Sequence, residues 1–131
     1  MSLVVRLDVR TRNPLNGSQG QTVHGRRMRA AERKKLRLLT HNWCRFAMVY
    51  HHHKRPVSAI VMLTRIAPCP LDDDGWQAAA KPIRDGVADW LCIKDNDPRF
   101  TWNYAQRRGR VREHAVLIEI EPRKEVADAE V

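Results

Sequence analysis

Paired cysteines, long apolar runs and acidic side chains are all in short supply in this chain. Its cysteines, Cys44, Cys69 and Cys92, are odd in number, far apart and never in a CxxC pair, which argues against a disulfide framework and against a zinc knuckle. They read as reduced thiols packed as small hydrophobes. Charges interrupt the apolar residues of the opening MSLVVRLDVR, and no stretch is long enough to span a bilayer, so neither a signal peptide nor a membrane segment is expected. The expected location is the cytoplasm. Acids are outnumbered, with 15 Asp and Glu against 24 Lys and Arg. No internal repeat is visible.

What is present fits one folded domain. The chain of 131 residues suffices for one core, and 43% hydrophobic residues is too rich a composition for a disordered chain. The formal charge of +9 points to a polyanionic partner, because clustered positive charge concentrates phosphate-bearing ligands at a surface. Nucleic acid is the first candidate, and no membrane partner is expected.

Val5, Leu7 and Val9 alternate with Arg6, Asp8 and Arg10, the period of a half-buried strand. Asn13 to Gly25, rich in Gly and polar residues, reads as a loop. From about Arg26 to Tyr50, the residues Met28, Leu36, Leu39, Trp43, Phe46, Ala47 and Tyr50 recur mostly at intervals of three and four. That spacing predicts an amphipathic helix with those side chains turned inward. The following His51, His52 and His53 read as a solvated helix end rather than a metal-binding tract.

Val57 to Thr64 is apolar on both alternating faces, which predicts a central strand covered on both sides and stopped by Pro68 and Pro70. A second helix, from about Gly75 to Leu91, is expected to bury Trp76, Ala80, Ile83, Val87, Trp90 and Leu91, with Pro82 kinking or restarting it near Lys81. Phe100 to Ala105 and Val116 to Ile120 alternate again and read as a hairpin around Arg107 to Arg112. The order strand, helix, strand, helix, strand, strand implies an α/β (α+β) domain over residues 1–121: a mixed four-stranded sheet with two main helices packed on it. Residues 122–131 read as a flexible charged tail.

Two charge patterns carry functional weight. In the first helix, Arg26, Arg27, Arg29, Arg33, Lys34, Lys35 and Arg37 have only Glu32 among them, so most must face water or phosphate. A solvated face explains such a run taken alone; the chain-wide excess of positive charge favours phosphate contact.

The second pattern is acidic. Asp72, Asp73 and Asp74 stand side by side before Gly75, which suits either a helix N-terminus, where free N–H groups and the helix dipole favour anions, or a divalent cation. Lys81 and Asp85 follow Asp74 by seven and eleven positions, returning to within roughly 20° of its azimuth on a regular helix. Asp95 and Asp97 come just after that helix, beside Lys94. Mg²⁺ takes carboxylate oxygens of this kind and can generate hydroxide and orient a phosphate, while a lysine neutralises charge developing there.

The stretch LDDDGWQAAAKPIRDGVADWLCIKDNDPRFTW, followed by YAQRR and the strand AVLIEI, resembles the RusA family of Holliday junction resolvases, in its phage and prophage branch. The resemblance covers nearly the whole chain. It implies a homodimeric endonuclease that binds four-way DNA junctions and makes paired nicks using Mg²⁺, with Mn²⁺ as a substitute. It also implies catalytic roles for Asp72, Asp74, Lys81 and Asp95, with Asp72, Asp74 and Asp95 as metal ligands and Asp85 as an accessory acid; Asp97, in the same cluster as Asp95, is a further accessory candidate. The DNA contacts expected from the excess of basic residues are Arg26, Arg27, Arg29, Arg33, Lys34, Arg107 and Arg108. Gly75 stands where the family motif has Asn, Lys81 lies about one turn further from the aspartates than in the shortest family pattern, and Lys94 replaces an acid. A DNA-binding protein of the same fold with an impaired site is the alternative these departures allow, and an RNA-binding module is the other.

Overall fold

A computed structural model describes residues 2–11, 23–51 and 54–123. The chain runs β1 (Leu3–Leu7), α1 (Val23–Tyr50), β2 (Ala59–Ala67), α2 (Asp73–Leu91), β3 (Phe100–Arg108) and β4 (Ala115–Pro122). The sheet is mixed and four-stranded, in the order β1-β4-β2-β3. The α+β class and the two helices are therefore as the sequence implies. The loop expected over Asn13 to Gly25 and the charged tail fall largely outside the described residues, as do His52 and His53.

The expected hairpin does not form. β4 lies between β1 and β2, antiparallel to both, with Ile118 opposite Val5 on one side and Leu63 on the other. β3 instead pairs in parallel with β2, from Ala59 opposite Phe100 to Ala67 opposite Arg108, as the return strand of a β2-α2-β3 crossover. Burial explains the exchange. Val116, Ile118 and Ile120 of β4 are fully enclosed and need neighbours on both sides, whereas Trp102 and Tyr104 of β3 are only partly covered and tolerate an edge. The connection from β3 to β4 then crosses the end of β2, where the Gly109 N–H donates to the Ala67 carbonyl at 2.8 Å. An added Cβ at Gly109 would lie 2.9 Å from Ile66 Cγ2, so the crossing needs glycine.

The core lies on one face of the sheet. Leu3, Val5 and Leu7, Val61 and Leu63, and Ile118 and Ile120 meet Trp76, Ile83, Val87 and Trp90 of α2. The alternate residues of β2, Ile60, Met62 and Thr64, are half-buried, and neither helix covers that face. The expectation of a strand covered on both sides is corrected here. β2 also begins two residues later than expected and runs on through Arg65, leaving Val57 exposed.

Helix α2 buries the six side chains predicted for it. Pro82 lies inside and is buried, and the helix continues across it to Leu91 rather than restarting. It ends with Cys92 in the left-handed region, whose N–H returns to the Ala88 and Asp89 carbonyls.

Helix α1 turns a different face inward from the one its pattern suggests. Thr40 and Cys44 are the enclosed residues, with Leu36, Ala47 and Met48 beside them, while Met28, Trp43, Phe46 and Tyr50 are exposed. Close approach is the reason. Gly86 of α2 sits against the Arg37 carbonyl and Thr40 side chain, so the crossing admits only small groups and the bulky aromatics are displaced to the flank.

The thiols differ accordingly. Burial pushes the Cys44 thiol up to about 12, while Cys69 and Cys92 are exposed. Thiolate is the reactive form, so a disulfide-exchange titration at pH 8 is expected to count two thiols in the native protein and three in denaturant. Three fast thiols without denaturant would contradict the packing of α1 on α2.

Candidate functional site

The basic half of α1 reaches beyond the core. Arg26, Arg27, Arg33 and Lys34 are exposed, and across residues 26–35 only Arg29 is partly covered. Ten helical residues span about 15 Å, so this half presents a rod of positive charge with a single acid, Glu32. Arg37, just beyond, is committed instead to α2: its guanidinium donates to both carboxylate oxygens of Asp89, at 2.6 and 2.7 Å. That pairing raises the arginine's pKa and lowers the carboxyl's.

At the start of α2 the aspartates divide their roles. Asp72 is the N-cap, its Oδ1 accepting from the Gly75 N–H at 2.7 Å, and Asp73 and Asp74 sit in the first turn. Among the described residues no hydrogen bond or ion pair engages the exposed Asp74 carboxylate. The preceding loop is gripped from β3: Gln106 Nε2 donates to the Leu71 carbonyl at 2.7 Å, and the Leu71 N–H donates to Gln106 Oε1 at 2.9 Å. Beneath it Arg65, only 6% exposed, donates to Thr11 Oγ1 and the Cys69 carbonyl, so a buried cation with neutral acceptors anchors the same loop. Its pKa is lowered by that burial.

Further along α2, the residues after the helix fold back beside it. Lys81 Nζ donates to Asp85 at 2.9 Å and to Asp95 at 2.5 Å. These contacts raise the lysine's pKa, with Asp95 the larger cause, and hold the Asp95 carboxyl below its usual range. Arg37 Nη1 also approaches Asp85 at 3.9 Å. Asp97 faces its own turn, bound by Arg99, which holds its carboxyl down at about 2.

Lys81 and Asp85 thus meet as the helical stripe implied, while Asp95 folds back onto Lys81 rather than beside Asp72 and Asp74, where the sequence placed it. Asp72 and Asp74 do not join them: seven residues from Asp74 to Lys81 is about 10 Å along a helix. Carboxylates suit Mg²⁺ in donor type, and the Lys81 ammonium marks a point where two of them already share a cation. As a set they do not converge: among the described residues no group of three His, Cys, Asp or Glu side chains could hold a metal.

Several participating residues escaped the sequence reading. Arg84 lies 4.8 Å over the Trp102 ring, donates to the Tyr104 hydroxyl at 3.0 Å and donates to the Asp95 carbonyl at 2.7 Å. It fixes the acidic turn against β3. Gln106 and Arg65 do the same for the Asp72 loop. Strand alternation puts Trp102, Tyr104 and Gln106 on one face, but only the β2-α2-β3 crossover places them next to the acids. Arg107 and Arg108 are exposed where β3 ends, two residues or fewer beyond Gln106, with Arg110 and Arg112 exposed in the turn that follows. Cationic and acidic segments therefore share one end of the sheet.

The fold and surface define a small basic α+β protein with an acidic patch on its second helix. No family model, no curated protein and no solved structure matches the chain. No helix among the described residues is long and apolar enough to cross a membrane.

Proposed function

We propose that this protein is an endodeoxyribonuclease of the RusA resolvase type that binds four-way or otherwise branched DNA and cuts it with Mg²⁺. The carrying observation is the return of Asp95 to Lys81 and Asp85 on the exposed side of α2, the stripe that begins at Asp74. The resemblance assigns the metal to Asp72, Asp74 and Asp95; as the described residues place them, these carboxylates do not converge on one point, and a shared ion would need the Asp95 turn and the start of α2 to draw together. The chain's own contribution is positioning. Gln106 and Arg84 hold the two acidic segments on β3, Lys81 keeps a positive charge beside Asp95, and the α1 rod with Arg107 and Arg108 attracts the DNA backbone.

A homodimer belongs to the proposal, since paired nicks need symmetric sites. The exposed Trp43, Phe46, Val49 and Tyr50 form an apolar face suited to it. Antiparallel pairing about Phe46 would keep each Arg33 about 20 Å along the axis from the centre, beyond the range of unscreened repulsion.

A labelled four-way junction, incubated in Mg²⁺ or Mn²⁺ at fixed salt, tests this reading. Paired symmetric nicks are expected, with linear duplex spared. Binding without nicks would instead establish the second reading, a DNA-binding protein of the same fold. That reading draws on Asp72 serving as a cap and Asp95 already paired by Lys81. Preference for structured RNA would defeat both.

Charge reversal at Arg33 and Lys34 is expected to weaken binding to junction and duplex alike, and to reduce the dependence of affinity on salt by about one unit of slope per lost phosphate contact. Unchanged affinity at low salt would remove α1 from the interface.

A further inference from the structure

Beside the acidic patch lies an open cleft of about 470 Å³, lined by Trp76, Trp102 and Tyr104 together with Asp73, Gln77, Asn103 and Gln106. We propose that this cleft receives an unpaired nucleobase of bound DNA, stacking it on the aromatic wall while the sugar-phosphate backbone stays outside; the proposal rests on the DNA-binding reading above. Its size is that of a small-molecule site. The floor is the outer edge of β3, which pairs with β2 on its other side and with no strand here among the described residues. Backbone donors and acceptors are therefore unspent along this edge.

Three features select a base rather than a phosphate or a sugar. Trp102 and Tyr104 each leave part of a ring open beside the cleft, with Trp76 itself buried, and the exposed Gln77 side chain both donates and accepts, matching the mixed edge of a base. Gln106 contributes no recognition, because its carboxamide is used by Leu71. Asp73 at the lip, with Asp72 and Asp74 adjoining, repels a phosphate from the opening. Phosphate is attracted instead to Arg107 and Arg108, which continue the strand past the cleft.

The wall is also held ready. Arg84 packs over Trp102 and donates to the Tyr104 hydroxyl, and Trp76 meets Tyr104 edge-on, with ring centroids 6.5 Å apart. Side chains already fixed lose little freedom when a ligand stacks on them. Because Arg84 also donates to the Asp95 carbonyl, a base in the cleft would lie next to the acids, at a branch point where pairing is interrupted.

The test uses a duplex with a single-stranded tail carrying 2-aminopurine, and the same duplex without a tail, both at fixed low salt. Binding of the tailed DNA is expected to change the 2-aminopurine emission. Trp102→Ala and Tyr104→Ala are expected to weaken tailed-DNA binding about tenfold, the effect of losing one stacked base, with duplex binding within about twofold of the parent. Trp102→Tyr should restore most of the loss, which separates stacking from general damage to the fold. Unaltered emission on binding, or equal loss for both DNAs, would overturn the cleft while leaving DNA binding intact. The first of these is what an extended peptide site along β3 would give. Failure to bind either DNA would overturn the underlying reading as well.

Discussion

Valine in place of Gly86 is expected to lower the melting temperature by about 10 °C, the equivalent of about 3 kcal/mol in a domain of this size. A Cβ at Gly86 would stand 2.5 Å from the Arg37 carbonyl oxygen and 2.7 Å from Thr40 Cβ, both on α1. The first neighbour is backbone, so it cannot rotate away, and the helices must part. Valine gains only about 0.4 kcal/mol over glycine in intrinsic helix propensity, far less than the cost of overpacking. Parting the helices also strains the Arg37 to Asp89 pairing and the approach of Arg37 to Asp85, so the damage reaches the acidic patch. Thermal unfolding followed by circular dichroism measures it, with Gly86→Ala falling between parent and valine. A melting temperature unchanged in the valine variant would mean that α1 and α2 do not cross there.

That crossing shows where the sequence was readable and where it was not. Trp76, Ala80, Ile83, Val87, Trp90 and Leu91 repeat at helical intervals and are all buried, because α2 packs lengthwise over the sheet and one stripe suffices. In α1 the same rule picks the wrong stripe. Trp43, Phe46 and Tyr50 are the most apolar line, yet Thr40 and Cys44 face inward, since the approach distance at Gly86 selects for size over hydrophobicity. Spacing within one segment cannot reveal a constraint set by its neighbour.

Strand order failed for a related reason. Phe100 to Ala105 and Val116 to Ile120 have the local marks of a hairpin, but local marks do not report which strand must be enclosed on both edges. The acidic site was legible to the extent that it lay on one helix. Lys81 and Asp85 are four residues apart and meet, as the azimuth required. Asp95 needed the chain to fold back. Gln106, Arg84 and Arg65 act through the crossover of β3 beside α2, which no motif encodes.

Asp95→Asn is expected to reduce junction cleavage on the order of 10³-fold, the scale on which loss of one group stabilising transition-state charge is felt, while junction binding stays the same or tightens. Binding improves because a negative charge beside DNA is removed. Stability should scarcely change: side-chain exposures of 54% for Lys81 and 38% for Asp95 place the pair in solvent, where such contacts are worth at most about 1 kcal/mol. Asp95 has a depressed pKa, so its contribution is present above about pH 4 and is lost as pH falls through the lowered value. Lys81 has a raised pKa, so its contribution is present below about pH 10 and is lost as pH rises through the raised value. Between those limits the pair is intact, and neither group sets the pH dependence of cutting near neutrality. Lys81→Met separates the two roles left to Asp95. If Asp95 serves only to pair with Lys81, both variants leave cutting unaltered and shift stability by similar small amounts. If Asp95 is a metal ligand, Asp95→Asn shows the same large loss of cutting at every metal concentration. Lys81→Met then frees the carboxylate, and its remaining activity should need less Mg²⁺ to reach half its maximum.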